Sequence, residues 1–328
     1  MKTALVTGAN GFTGSYLCKQ LIENGYQVRG LVRTSSDLIL LQGIPVELAY
    51  ADLAVDNRFS DIMNGIDTVY HIAAIYRNEN VSRKYFWDVN VGGTRKLLDA
   101  AVSSNVRRFV HCSTVGVQGH IKNPPATEDF PYDPGDHYQE SKLEAELLAM
   151  DYFRQKKLNG VVVRPSGIYG PGDTRFLKLF RHIQNGSFRM IGTGKTYYHM
   201  TYVEDVAEGF VHAGETRDAA GEIFTIGGEE YVTLQELVNR IARVLNTSVS
   251  RIRIPAQPVW LAAWLCERIC RPFGISPPIY PRRVDFFIKS RAFDISKAKN
   301  ILGYHPRVNL DDGLRRTAEW YRQQGLLV

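Results

Sequence analysis

Tyr138 and Lys142 stand four residues apart and could together move a proton. They follow Asp136 in a stretch with the pattern of a beginning helix, and that spacing places two side chains on one helical face. A tyrosine hydroxyl titrates at about pH 10 in water, and an ammonium a few Å away lowers that pKa by stabilising the phenolate. An inward-packed ring beside a solvated lysine would show the same spacing. The surrounding elements therefore decide whether the pair is a proton donor and acceptor.

Three glycines, Gly8, Gly11 and Gly14, separate an apolar strand pattern at residues 4–7 from a helical pattern at residues 15–22. This order of strand, glycine turn and helix brings the pyrophosphate of a dinucleotide onto a helix N-terminus. The first gap is one residue wider than in the common fingerprint, and an ordinary glycine-rich turn is the alternative. Because the turn is the first in the chain, we expect a dinucleotide-binding site.

Arg33 follows the next strand pattern, residues 27–32, at about the distance beyond the glycines where NAD-binding folds place an acidic residue on a ribose hydroxyl. A guanidinium there is attracted to a 2′-phosphate instead, and Ser35 and Ser36 could add donors. The sequence therefore favours NADP and leaves NAD open. A solvated surface arginine is the alternative.

Further apolar runs alternate with helical patterns, at residues 46–50, 68–74 and 109–113. Such strands predict a parallel sheet that is covered by helices on both faces. Ligands of these sheets lie at the carboxyl ends of the strands. Asp52 could there accept a hydrogen bond from an adenine amino group, or could cap its own loop. We expect Asn90 to begin or line a helix beside the site.

The composition is that of a globular protein, with 328 residues, 44% hydrophobic, 23% charged and a formal charge of +6. The cations are spread along the chain, which favours a phosphate-bearing cofactor over nucleic acid. No apolar run approaches the roughly 20 residues that span a bilayer. The N-terminus lacks a signal-peptide pattern and the four cysteines lack metal-site spacing. We expect a cytoplasmic enzyme without a metal site.

The glycine turn, the Tyr138/Lys142 pair and the hydroxyls of Ser113 and Thr114 at a strand end resemble the extended short-chain dehydrogenase/reductase family over essentially the whole chain. The resemblance implies that a strand-end hydroxyl holds the substrate oxygen and that the tyrosine transfers the proton. It also implies that the lysine binds the nicotinamide ribose and lowers the tyrosine pKa. Matching residues 117–119 to the family's Val-Tyr-Gly assigns the first role to Thr114, with Ser113 as second choice.

The resemblance further implies the fold, a Rossmann-like, doubly wound α/β parallel sheet with a smaller, mixed α/β C-terminal substrate domain. We expect a dinucleotide-binding domain at residues 1–165, rejoined by 200–228, and a substrate domain at 166–199 and 229–328. We also expect a homodimer. The expected cofactor-binding residues are Gly8, Asn10, Gly11, Phe12, Gly14, Arg33, Asp52, Leu53, Ala73, Ala74, Tyr138, Lys142, Pro165 and Ser166. The expected substrate-binding residues are Thr114, Ser166, Tyr198 and Arg282.

Three departures from relatives narrow the choice of reaction within that family. One is Arg33, because epimerases commonly retain NAD, whereas a preference for NADP fits net reduction. Sugar-nucleotide 4,6-dehydratases carry an Asp-Glu pair after the strand-end threonine, whereas residues 115–116 are Val and Gly, which cannot exchange a proton. Many epimerases carry an Arg-Asp-Phe run whose guanidinium binds the substrate pyrophosphate. The corresponding run begins at Tyr198. Lys195, Arg282 or Arg283 could supply that cation instead.

Apart from these two groups of enzymes, the chain resembles the 3β-hydroxysteroid dehydrogenase and dihydroflavonol reductase-like branch of the family, on residues 192–206 and 293–299. The resemblance implies an NAD(P)-dependent oxidoreductase that interconverts a secondary alcohol and a ketone on a bulky alicyclic, aromatic or lipid-like substrate. Two alternatives stay open. One is a nucleotide-sugar 4-epimerase with tightly bound NAD, and the other is a cofactor-binding regulatory protein without turnover.

Residues 258–272 form an apolar, aromatic stretch with Trp260, Trp264 and Leu265. It could be a wall or lid over a lipid-like substrate, a surface in peripheral contact with a membrane, or a core-facing helix of the smaller domain. The run is too short to span a bilayer.

Overall fold

The computed structural model describes residues 2–57, 59–76, 81–155, 157–273, 275 and 277–327, without the side chains of Arg271 and Arg282. The strands are β1 (Thr3–Thr7), β2 (Gln27–Val32), β3 (Glu47–Tyr50), β4 (Thr68–His71), β5 (Arg108–Cys112), β6 (Gly160–Pro165), β7 (Gly167–Tyr169), β8 (Met190–Ile191), β9 (Tyr197–Tyr202), β10 (Ile223–Ile226), β11 (Tyr231–Thr233) and β12 (Arg253–Ile254). The α-helices are α1 (Phe12–Glu23), α2 (Arg83–Trp87), α3 (Gly93–Ser103), α4 (His137–Arg154), α5 (Leu177–Gln184), α6 (Val203–Glu215), α7 (Leu234–Val244), α8 (Ala256–Cys270), α9 (Pro281–Ile288) and α10 (Leu310–Gln323).

Seven strands form one sheet in the order β3-β2-β1-β4-β5-β6-β10, and every neighbouring pair is parallel. The chain direction across the sheet reverses between β1 and β4. Ligands of such doubly wound sheets lie in the crevice at this reversal, beyond the carboxyl ends of the strands. The predicted Rossmann-like sheet is confirmed.

The strands of this sheet are apolar because helices cover both of its faces. Successive residues of β1 point to opposite sides. Ala4 packs in the layer that contains α1 and α6, and Leu5 packs in the layer that contains α3 and α4. Both side chains are fully buried. This two-sided burial explains why the strand patterns in the sequence are nearly continuous rather than alternating.

The smaller part of the molecule is built on a three-stranded sheet, β11-β9-β7, in which β7 is parallel and β11 antiparallel to β9. A two-stranded parallel pair, β12-β8, lies apart from it. Helices α5, α7 and α10 bury apolar faces in one core around this sheet, with Phe180, Leu237 and Leu314 at its centre. The predicted mixed α/β character of this part is confirmed.

The chain returns to the large sheet after β9. Helix α6 lies in the same layer as α1, and β10 pairs with β6 at the edge of the sheet. Residues 200–202 end β9 in the small sheet, and α6 begins at Val203. The domain limits expected from the sequence stay predictions.

Helix α8 contains most of the apolar stretch at residues 258–272. Of its described residues only Ala263 is buried, and the helix packs against α9. The core-facing interpretation of this stretch is therefore wrong. Among the described helices, none combines the length and apolar character needed to cross a membrane.

Candidate active site

A cleft of about 1150 Å³ opens at the carboxyl edge of the large sheet, and its far wall comes from the smaller part of the molecule. The first residues beyond six of the seven strands line it, as the sheet topology requires. The residues expected from the sequence that line this cleft are Gly8, Asn10, Gly11, Phe12, Gly14, Arg33, Asp52, Leu53, Ala73, Ala74, Ser113, Thr114, Tyr138, Pro165, Ser166 and Tyr198. The sequence therefore identified residues that the fold brings together.

The glycine turn forms a cradle that only glycine can build. Gly8 has a φ of +68°, a left-handed conformation that side chains rarely adopt. A Cβ added to Gly14 would stand 2.1 Å from the Gly8 carbonyl oxygen. Helix α1 can therefore begin directly behind the turn and direct its N-terminal amides toward the cleft. This close approach of main chain to main chain fits the pyrophosphate of a dinucleotide cofactor.

Arg33 and Ser36 lie at the end of the cleft nearest β2. The Ser36 hydroxyl accepts a hydrogen bond from the Arg33 amide at 3.1 Å, which folds the turn after the strand. Asp52, beyond β3, accepts a hydrogen bond from the Ala54 amide at 2.8 Å. Its carboxylate thus caps its own loop and also lines the cleft.

Tyr138 lies in the first turn of α4. The side chain of Asp136 caps this helix by accepting a hydrogen bond from the Gln139 amide at 2.9 Å, which fixes where the helix begins. The ring of Tyr138 meets the ring of Tyr76 edge to face, with centroids 4.9 Å apart. Burial, reinforced by Tyr76, raises the pKa of Tyr138 well above its ordinary value, although Arg175 opposes the shift.

Lys142 lies beneath Tyr138 and does not line the cleft. It is 2% exposed, and its Nζ donates a hydrogen bond to the Cys112 carbonyl oxygen at 2.5 Å. Burial lowers the pKa of Lys142. The ammonium thus ties α4 to the end of β5. This differs from the expectation that Lys142 holds the tyrosine pKa down, because burial is the dominant influence on Tyr138 in this structure.

Thr114 and Ser113 follow β5 and reach the cleft beside Tyr138. The Thr114 hydroxyl accepts a hydrogen bond from the Gly116 amide at 3.1 Å and keeps its own proton for donation. The Ser113 hydroxyl is buried, and no partner for it is present among the described residues. A buried hydroxyl usually finds a partner, so an oxygen bound in the cleft would satisfy it.

Asn90 lies within a π-helical segment, Asp88–Gly92, and is buried. Its side chain accepts a hydrogen bond from the Ile75 amide at 2.8 Å and donates one to the Ser141 hydroxyl at 2.9 Å. The Ser141 hydroxyl in turn donates to the Tyr138 carbonyl oxygen at 2.8 Å. Asn90 therefore holds the loop that follows β4 against the helix that carries Tyr138.

Ser166 and Tyr198 are held by neighbours of their own. The Ser166 hydroxyl forms a short hydrogen bond with the Thr201 hydroxyl. The Tyr198 hydroxyl accepts a hydrogen bond from Arg291 at 3.3 Å, and its ring lies 4.7 Å from the Phe286 ring. The side chain of Arg282, also expected at the substrate, lies outside the described residues.

Arg175 lines the cleft but was not among the site residues expected from the sequence. Its guanidinium lies 5.7 Å from the ring centroids of both Phe12 and Tyr76, and it pairs with the buried Asp173 at 2.7 Å. It therefore joins the glycine turn to the loop that carries Tyr76. The only local signal, an aspartate two residues before an arginine, is too common to reveal this position.

The far wall of the cleft is aromatic and cationic. Arg189 and Arg283 have main-chain carbonyl oxygens as their described hydrogen-bond partners. The aromatic side chains there are Phe176, Phe188, Tyr198, Tyr280, Phe286, Phe287 and Phe293. The cationic side chains there are Arg175, Lys178, Arg189, Arg283 and Arg291. No described residue of α8 lines the cleft, so this helix is neither its wall nor its lid.

Comparisons with known proteins agree with this geometry. A model of the NAD dependent epimerase/dehydratase family matches residues 4–227. A Mus musculus protein, "Sterol-4-alpha-carboxylate 3-dehydrogenase, decarboxylating", is 29% identical over 97% of this chain and 90% of its own length. The crystal structure of gox2253 is similar with a TM-score of 0.86 and 30% identity, covering 100% of both chains.

UDP-glucuronic acid 4-epimerase from Bacillus cereus, solved in complex with NAD, is similar with a TM-score of 0.79 and 26% identity over 98% of this chain and 99% of its own. The expectation of an enzyme of the extended short-chain dehydrogenase/reductase type is confirmed. The protein belongs to the NAD-dependent epimerase/dehydratase family.

Proposed function

We propose that this protein interconverts a secondary alcohol and a ketone on a bulky alicyclic, aromatic or lipid-like substrate, with NAD(P) as its redox partner. The observation that carries the proposal is that Tyr138 and Thr114 line one cleft together with the glycine turn. A proton donor, a hydroxyl for the substrate oxygen and a dinucleotide cradle thus face the same space.

A nicotinamide ring bound in the cleft would supply the hydride chemistry. In reduction, Tyr138 donates its proton to the former carbonyl oxygen. Its raised pKa keeps that proton in place at neutral pH. In oxidation the Tyr138 oxygen must first lose its own proton so that it can accept the proton of the alcohol. The rate of alcohol oxidation should therefore rise with pH. Thr114 and the unpaired hydroxyl of Ser113 hold the substrate oxygen during proton transfer.

The far wall supports a bulky substrate. The rings of Phe286 and Phe287 lie 5.1 Å apart, and Phe287 also lies 6.3 Å from Phe188. Such contiguous aromatic surface favours an apolar, ring-containing compound. The mouse relative is named as a sterol carboxylate dehydrogenase, which supports the same substrate class.

We propose NADP as the preferred cofactor. Arg33 lines the cleft beyond β2, with Ser36 beside it, and has no carboxylate partner among the described residues. A 2′-phosphate would pair with this guanidinium. Replacing Arg33 by Asp should therefore weaken NADP relative to NAD. An unchanged preference would remove Arg33 from the cofactor site.

A nucleotide-sugar 4-epimerase is the second candidate. Lys178, Arg189 and Arg283 in the far wall could pair with a diphosphate, and the Bacillus cereus neighbour is an epimerase. The nucleotide extracted from purified protein distinguishes the two. Tightly held NAD without net reduction of ketones favours the epimerase. Weakly bound NADP with ketone-dependent oxidation of NADPH favours the reductase.

The variant Tyr138→Phe tests the proton-transfer role common to both candidates. We expect kcat to fall by about 10² to 10⁴ while the dissociation constant of NADPH stays unchanged. Tyr231→Phe is the matched control, because Tyr231 lies outside the cleft lining and should keep full activity. Turnover is followed by the absorbance of reduced nicotinamide. Full activity of Tyr138→Phe would disprove the assignment.

The homodimer and the cytoplasmic location expected from the sequence stay predictions.

A further inference from the structure

The exposed apolar side chains of the described residues are unevenly distributed. Eight of the sixteen large ones lie in residues 252–275, in and around α8. These eight are Ile252, Ile254, Trp260, Leu261, Leu265, Ile269, Phe273 and Ile275. Scattered single apolar residues are normal on a protein surface, but a contiguous cluster marks a contact site.

Helix α8 presents this apolar surface as one face. Leu261, Leu265 and Ile269 recur every four residues, so their side chains lie one above the other. Ala263, on the side of the helix away from these residues, is buried, and α8 packs on α9. The helix has 15 residues and is thus about 22 Å long. That length suits a helix that lies flat on a surface, because spanning a bilayer takes about 30 Å.

The same part of the chain carries the positive charge. Residues 251–291 contain eight Lys and Arg residues but only Glu267 and Asp285 as acids, a surplus of six that equals the formal charge of the whole chain. Arg251 and Arg253 are exposed beside Ile252 and Ile254. Arg268, next to Ile269 on α8, is exposed as well, so exposed cations accompany the exposed apolar side chains of this segment.

We propose that this face docks on the surface of an anionic lipid bilayer. Leucine and isoleucine side chains on one helix face, with the exposed Trp260 at the side of that face and arginines in the same segment, are the features of a helix that lies in a membrane interface. Anionic lipid headgroups complement the local surplus of cations. A second copy of this chain fits the face poorly, because pairing two such faces would bring two cationic segments together.

Docking on lipid would also place a membrane beside the cleft. Helix α9 packs on α8 and contributes Arg283, Phe286 and Phe287 to the far wall. One helix thus separates the apolar face from the substrate half of the cleft. The docking itself does not depend on which substrate the enzyme takes.

Vesicle flotation with the full-length protein tests the proposal. We expect it to float with vesicles of equal parts phosphatidylglycerol and phosphatidylcholine, and not with phosphatidylcholine alone. Raising the salt concentration should release it, because exposed charges are screened. The tryptophan fluorescence should shift to the blue on binding, which needs no variant. The double variant Leu265→Asp/Ile269→Asp should lower the bound fraction at least ~10-fold.

Ile39→Asp/Val55→Asp is the matched control, because both residues are exposed far along the chain from α8 and the change of charge is the same. It should bind vesicles almost as well as the unaltered protein. Equal loss in both double variants, or no flotation of the unaltered protein, would overturn the proposal. A stable dimer in ultracentrifugation that the α8 variant alone dissolves would also overturn it, by making this face a contact between copies.

Discussion

The two halves of the cleft are built in different ways. In the nucleotide half, positions are set mainly by the main chain: the Gly8 carbonyl oxygen accepts from the Gly11 amide at 2.9 Å, and the Gly8 amide donates to the Leu31 carbonyl oxygen at 3.0 Å. In the substrate half, the walls are the outer parts of long side chains such as Arg189 and Phe286.

This contrast separates the reaction from the choice of substrate. Because the nucleotide half of the cleft is made of main chain and glycine, it has almost no room for added atoms. Substitutions there should abolish cofactor binding or folding. A half made of side-chain ends can change shape without disturbing the sheet beneath it. Substitutions in the nucleotide half should therefore cost much more than comparable substitutions in the substrate half.

The largest expected effect concerns the buried ion pair between Arg164 and Glu146. Both side chains are fully buried, and Arg164 donates two hydrogen bonds to Glu146 at 2.6 and 2.9 Å, which ties α4 to β6. Arg164→Met leaves the buried Glu146 carboxylate without its cation, although the Tyr132 hydroxyl still donates to it at 3.0 Å, and should lower the free energy of unfolding by about 3 to 5 kcal/mol.

The control is Arg315→Met in α10, whose partner Glu319 lies 2.8 Å away while both side chains are about half exposed. Exposed pairs of this kind contribute little to stability, because solvent screens both charges. Urea unfolding of the two variants measures both costs. Similar losses would show that the buried ion pair between α4 and β6 is no more important than one on the surface.

The next largest effect concerns the glycine cradle. In Gly14→Ala the new Cβ would meet the Gly8 carbonyl oxygen at 2.1 Å, so the turn must open. We expect the dissociation constant of NADPH to rise at least ~100-fold, which corresponds to about 2.7 kcal/mol. Gly92→Ala is the control, because the nearest atom, the Trp87 carbonyl oxygen, is 3.7 Å away. Fluorescence titration measures both constants, and equally tight binding by both variants would refute the cradle.

Much of the nucleotide half could be predicted from the sequence because its signals are local. Gly8, Gly11 and Gly14 are close in the chain, and the strand that precedes them has an apolar centre at residues 4–6. Asp136 stands three residues before the Gln139 amide that it caps, so the start of α4 could also be predicted from the sequence. Each of these contacts is decided within a few residues.

The positions of Lys142 and Arg175 could not be predicted, because their partners are distant in the sequence. Lys142 donates to Cys112, 30 residues away, and only the packing of α4 on the large sheet brings them together. Arg175 lies between Phe12, the first residue of α1, and Tyr76, in the loop after β4. The exposure of α8 could not be predicted either, because an apolar stretch has the same sequence pattern whether it faces a core or solvent.

The smallest expected effect lies in the substrate half. Phe287→Leu removes part of an aromatic wall that Phe188 and Phe286 complete, without altering the main chain. Losing that apolar surface should raise KM for a bulky ketone about 5- to 10-fold, near 1 kcal/mol, and leave kcat unchanged. Phe273→Leu, at a residue 76% exposed and outside the cleft lining, is the control. If kcat fell instead, the far wall would take part in aligning the reacting atoms, and reaction and substrate choice would not be separate.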